Sequence, residues 1–217
     1  MADVNLQLVR ECFELNVFRV LTNWQQDSRF QFAESTGQLF VENTALPVPR
    51  ELPFVLRAED IPAIDRAVIE VRAWHGDRFY PSVIEANPVL SQFVAPESLA
   101  LARELFKGLP FVTVLVVSEL PLSMDLRDRS AELLRRSGIG HVLEFPVLLQ
   151  DLLNKVESQG MYVGSQTLQT LRLLKRYKFI RHQQMDLPFK PEAHVPPMPP
   201  PVHVVEAPAN TLDEDNG

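Results

Sequence analysis

Residues 111–117, FVTVLVV, are a run of apolar and β-branched side chains with none of the alternation that a strand with one wet face would need. Such a run is expected of a strand buried on both faces of a sheet, and it is too short to cross a bilayer. A strand covered on both sides needs helices around it, and the flanking sequence supplies them. PESLALARELFKG (96–108) opens on proline and closes on glycine, the usual start and stop of a helix. SMDLRDRSAELLRRSG (123–138) offers Ser123 as N-cap and Gly138 just past the end. HVLEF (141–145) reads as another strand, and PVLLQDLLNKVES (146–158) as a helix opening on Pro146.

The first half is organised differently. VNLQLVRECFELNVF (4–18) spaces Val4, Leu8, Cys12 and Leu15 at helical intervals, with Val9 and Phe13 widening the stripe. FRVLTN (18–23), QLFVENT (38–44) and AVIEVRAW (67–74) read as strands, and LPFVLRAEDIP (52–62) as a short extra strand or turn. SQTLQTLRLLKRYKFIRH (165–182) is a last helix, amphipathic and basic. Three early strands predict an antiparallel meander, and the later strand–helix alternation predicts right-handed parallel crossovers. The expected fold class is α/β, a mixed sheet between helices, with no internal repeat.

The 217 residues and 46% hydrophobic content suit one sizeable core with a small appendage. The expected division is an α/β domain over 1–158, a helical extension over 159–186 and a disordered, proline-rich acidic tail over 187–217. From Pro188 onward no helical or strand period survives, and such composition buries too little to offset chain entropy. A PxxP ligand in polyproline form is the sharper alternative for this tail. The net charge is −7, but residues 186–217 carry six acids against Lys190 alone, so the body is close to neutral. A dedicated nucleic-acid binder would show a basic excess.

Cys12 is the single cysteine and falls in an apolar stripe, which suits a reducing compartment and a core role. The start of the chain has no basic segment ahead of an apolar run, and no stretch reads as a membrane span, so a cytoplasmic location is expected. SGIGHV (137–142) has a G-x-G between a helix and a following strand, the reverse of a phosphate loop. No Walker-type loop, zinc-ligand spacing or nucleophile elbow occurs.

Residues 65–80, DRAVIEVRAWHGDRFY, hold the most specific pattern. On a strand, Val68, Glu70 and Arg72 share a face, so a carboxylate is followed by a cation on one side of an apolar ladder. The bland reading is an ion pair on a sheet face. The sharper one is that this strand, after a meander and an N-terminal helix, resembles the E-x-K half of the PD-(D/E)xK nuclease fold. From Leu8 to Val156, and most specifically in WHGDRFYPSV (74–83), the chain resembles an uncharacterised bacterial family with that nuclease-like core.

The resemblance implies a three-layer α/β/α domain whose Glu70 would help hold Mg²⁺ for phosphodiester hydrolysis. Arg72 would take the place of the lysine. It can stabilise charge but cannot act as a base. The aspartate position on the second strand falls near Gly37 or Gln38, and Gln38 offers only a neutral carbonyl. Glu42, on the same strand face, and Glu11, at the edge of the first helix's stripe, are candidate substitutes as metal ligands. The expected function is a nuclease-like domain with an impaired site that binds nucleic acid or a partner protein, with Mg²⁺ as cofactor if active. The alternative is a non-catalytic interaction or scaffold module. Arg172, Lys175, Arg176 and Lys178 are candidate nucleic-acid contacts on the last helix, which reads equally well as a solvated face. Trp74, Phe79 and Tyr80 read as packing at the strand end rather than as base-stacking groups.

Overall fold

The computed structural model describes residues 4–21, 37–45 and 49–180. Contacts group Met1–His182 as one unit and Gln183–Gly217 as another, and the second lies outside the described residues. The tail expected over 187–217 therefore lies outside the described residues too.

The chain opens with α1 (Val4–Leu15), turns at Val17 with a φ of 62°, and enters β1 (Phe18–Leu21). A β-branched residue is strained in that left-handed region. It reverses the chain so that Phe18 stacks edge-on against Phe13, at 5.2 Å between centroids. Then come β2 (Gln38–Asn43), β3 (Val55–Leu56), a 3-10 segment (Ala58–Ala63) and β4 (Arg66–Arg72). After α2 (Pro81–Ala86), a second 3-10 segment (Pro88–Val94) and α3 (Pro96–Leu105) come β5 (Val112–Val117) and α4 (Met124–Arg136). β6 (His141–Glu144), α5 (Phe145–Lys155) and α6 (Gln166–Arg176) complete the described chain.

These strands form one mixed six-stranded sheet in the order β1-β2-β4-β5-β6-β3. β1, β2 and β4 are the expected antiparallel meander, and β4, β5, β6 and β3 run parallel. The 52–62 segment does supply a short strand, but its place at the far edge, beside β6, had no signal in the local pattern.

Alternate side chains of the sheet feed two separate cores. On one face Leu39, Val41, Ile69, Val114 and Val116 meet α1 and α5, with Leu168 of α6 packed among them. On the other, Phe40, Val68, Leu115 and Val117 meet Ile84 of α2, Leu101 and Ala102 of α3 and Leu134 of α4. Val114–Val117 are all buried, the two-sided burial that the uninterrupted run demands.

Of three local details, two differ from the sequence reading and one, Gly138, agrees with it. Ser123 does sit at the N-cap of α4, but its side chain makes no capping bond. Gly138 does follow α4 at φ 87°, the left-handed closing conformation. The short α2 and its 3-10 neighbour have no counterpart in the sequence reading, because six or seven residues broken by proline carry too little period to register.

Candidate functional site

Strand alternation does place Gln38, Glu70 and Arg72 on one sheet face, the face of Phe40 and Val68. Gln38 lies directly across the ladder from Glu70. Glu70 is 1% exposed, and its Oε1 touches Arg72 Nη2 at 2.7 Å. The contact is charge against charge: among the described residues, both Glu70 oxygens and Arg72 Nε lack an aligned hydrogen-bond partner. Burial pushes the Glu70 carboxyl above the usual carboxylate range, and the Arg72 charge only partly opposes that.

Residue 37, one of the two places expected for an aspartate, has no room for a side chain. A Cβ built on Gly37 would stand 2.8 Å from the Val71 carbonyl oxygen and 3.7 Å from Glu70 Oε1. Only glycine lets the two backbones approach so closely, with Val71 N–H donating to Gly37 O at 2.9 Å.

The proposed substitute ligands do not reach Glu70. Glu42 stands four residues along β2 from Gln38, roughly 13 Å at strand rise. It accepts from Arg19 Nη2 at 2.6 Å and Arg66 Nε at 3.2 Å. The Arg19 bond, with Arg66 behind it, holds its carboxyl below the usual range despite some desolvation. Glu11 sits on α1, which packs on the opposite face of the sheet. No group of three or more His, Cys, Asp and Glu among the described residues is arranged to hold a metal ion. One carboxylate already bound to a guanidinium, opposite a neutral amide, does not fit Mg²⁺, which demands near-octahedral oxygen ligation.

The basic helix is also differently employed. Lys175 Nζ donates to Leu153 O at 2.6 Å and Val156 O at 2.5 Å, closing the C-terminal end of α5. Arg172 is half-buried, whereas Arg176 and Lys178 are exposed. The exposed apolar side chains of Leu173, Tyr177 and Phe179 belong to the same segment.

The WHGDRFY stretch forms the loop leaving β4. Phe79 is buried and stacks on Trp74 at 5.5 Å, the packing role expected of both. Arg78 Nε donates to Glu119 Oε2 at 2.9 Å, Phe79 N–H to Glu119 O at 2.8 Å, and Ser118 Oγ to Asp77 O at 2.8 Å. The loop is thereby fastened to the end of β5. His75 meets Asn5 of α1 at 3.0 Å and lies edge-on to Phe145 at the start of α5. A cleft of about 740 Å³ opens there, lined by this loop, Glu119, Phe145 and the first turns of α1 and α5. It lies outside the carboxyl ends of the parallel strands, where open α/β sheets commonly bind ligands. Asn5, Glu119 and Phe145 gave no sequence signal, since only the sheet order brings their segments together.

Comparisons with protein-family models, with curated proteins and with solved structures each return no match for this chain.

Proposed function

We propose that this chain is a nuclease-like three-layer domain that performs no metal-dependent phosphodiester cleavage and acts instead as an interaction module for a protein partner. The antiparallel meander leading into parallel strands, with helices against both faces, supports the PD-(D/E)xK-like reading of the architecture. The observation that carries the loss of catalysis is the environment of Glu70: its nearest charged neighbour is Arg72, and the residue across the ladder is the neutral Gln38.

Protein rather than nucleic acid is favoured by the last helix. Lys175 is committed to backbone carbonyls, and the exposed Arg176 and Lys178 alternate with bare Tyr177 and Phe179. A mixed basic and aromatic surface of this kind is typical of protein interfaces.

The test is cleavage of single- and double-stranded DNA and RNA with Mg²⁺ or Mn²⁺, alongside binding of the same polymers over a salt series. The expected result is no cutting and no steeply salt-dependent binding. Metal-dependent cutting that Glu70→Gln abolishes would overturn the reading of the site. Tight, salt-sensitive binding weakened by Arg176→Ala would overturn the choice of partner. Cutting that appears only in the Gln38→Asp/Arg72→Lys variant would support a decayed nuclease.

A further inference from the structure

α6 is held to the domain by a narrow face. Leu168 is its buried residue, Leu171 packs beside it, and Lys175 Nζ is bonded to the carbonyls of Leu153 and Val156. Positions three and four apart share a helical face. The outward face carries Gln166, Thr170, Leu173 and, at the C-cap, Tyr177, all exposed. Lys178 then closes the helix at φ 61°, and Phe179 N–H donates to Leu174 O at 2.9 Å. Leu173, Tyr177 and Phe179 are 41%, 66% and 79% exposed. Three large apolar side chains are thus presented to solvent on hydrogen-bonded backbone.

Charge on this segment is one-sided. The chain holds 28 acids in 217 residues, yet residues 158–185 contain none. Elsewhere arginines pair with carboxylates, as in Arg10–Glu14, Arg78–Glu119 and Arg127–Glu144. Among the described residues no carboxylate pairs with Arg176 or Lys178, and both are exposed. Two unpaired cations therefore alternate with the bare rings of Tyr177 and Phe179.

Two occupants fit this face poorly. A second copy of the chain would set Arg176 and Lys178 against the same cations, and like charges oppose pairing. A lipid surface would have to take up Gln166 and Thr170, whereas a helix lying in a membrane keeps its inserted side apolar.

We propose that the C-terminal half of this face docks a short acidic segment of a partner protein, with aromatic or aliphatic side chains among its carboxylates. Those side chains cover Leu173, Tyr177 and Phe179, and the carboxylates meet Arg176 and Lys178. A guanidinium takes a carboxylate through two parallel N–H bonds, which fixes its orientation as well. The inference rests on the protein-partner reading above and names the chemistry of that partner.

The full chain should be titrated into a fluorescein-labelled peptide built from Asp, Glu, Leu and Phe, with anisotropy followed over a salt series. One control peptide has Asn and Gln for the acids, and the other has Ser for Leu and Phe. Saturable binding that salt weakens, and that both controls lack, is expected. Arg176→Gln/Lys178→Gln and Tyr177→Ser/Phe179→Ser should each weaken it by roughly tenfold. All four side chains are exposed, so both variants should keep the wild-type Tm. Equal binding of either control, affinity unchanged in either variant, or tighter binding to phosphatidylserine vesicles would overturn the inference. A single-stranded DNA arm separates its failure from that of the reading beneath it. If neither peptide nor DNA binds, the acidic partner alone is wrong. If DNA binds more tightly than the peptide, and Arg176→Gln/Lys178→Gln weakens it, the protein-partner reading fails as well.

Discussion

Gln38 faces Glu70 across the β2–β4 ladder, so the residue opposite this buried carboxylate is a neutral amide. Among the described residues, Glu70 has one charged partner, Arg72, on its own strand. Both lie on the sheet face that carries the apolar cluster of Phe40, Val68 and Leu115. Breaking such a pair strands a charge, whereas replacing it whole need not. Arg72→Met alone should destabilise the protein by about 3 kcal/mol, and Glu70→Gln/Arg72→Met should recover most of that loss. Urea unfolding of the two variants measures the difference. Equal stabilities would mean that the pair is solvated and inconsequential.

The same carboxyl should leave a signature in pH. Its folded pKa is raised by burial above the ordinary value of 4.5, so the folded state holds the Glu70 proton more tightly than the unfolded chain does. The associated stability is complete below about pH 4.5 and is lost as pH rises through the folded value. Glu70→Gln cannot ionise and escapes that loss. Its stability relative to wild type should therefore improve from acid toward neutral pH, as read from paired denaturation curves. A constant difference would contradict the burial argument.

Gly37 should not tolerate even one added carbon. Alanine there would drive its Cβ to 2.8 Å from Val71 O, a backbone atom fixed in β4. About 1–3 kcal/mol of destabilisation is expected for Gly37→Ala, with a lowered Tm. An unchanged Tm would show that the β2 entry can shift away from β4.

α1 and α5 are joined through Asp151, whose Oδ2 accepts from Asn16 Nδ2 at 2.7 Å and Lys155 Nζ at 2.9 Å. Cys12 Sγ lies 3.6 Å from the same oxygen, and burial followed by the Asp151 charge pushes its thiol well above the ordinary range. Asp151→Ala should cost about 3 kcal/mol by removing the acceptor that Asn16, Lys155 and Cys12 share. Labelling of Cys12 by a thiol reagent should be slow in the wild type and faster in this variant. Rapid labelling of the wild type would show that the helix pair opens readily.

Lys175 and Arg176 are neighbours in sequence with different employment. Lys175→Ala should lower stability by about 1 kcal/mol, because the α5 carbonyls of Leu153 and Val156 lose their donor. Arg176→Ala is expected to stay within about 0.5 kcal/mol as an exposed substitution. Thermal melts of the two single variants decide the matter.

The sequence by itself determined the periodic elements. The uninterrupted 112–117 strand, the meander that precedes it and the helices around it follow from local side-chain chemistry, because hydrophobic period and helix-end residues act over a few positions. It also placed Glu70 and Arg72 on one face, since strand alternation is a local rule, whereas the β2–β4 register set Gln38 opposite Glu70. Tertiary structure alone decided what those residues meet. Glu42 lies too far along its strand and Glu11 lies beneath the sheet, although both are acids of plausible spacing. Lys175 reads as a surface cation until α6 is laid against the end of α5. The short β3 gains its place only by pairing with β6, more than eighty residues later. The Arg78–Glu119 tie and the Glu11–Ser165 contact join residues 41 and 154 positions apart. Such contacts depend on the order of strands in the sheet and on which face each helix covers, and neither is encoded in any local window of the chain.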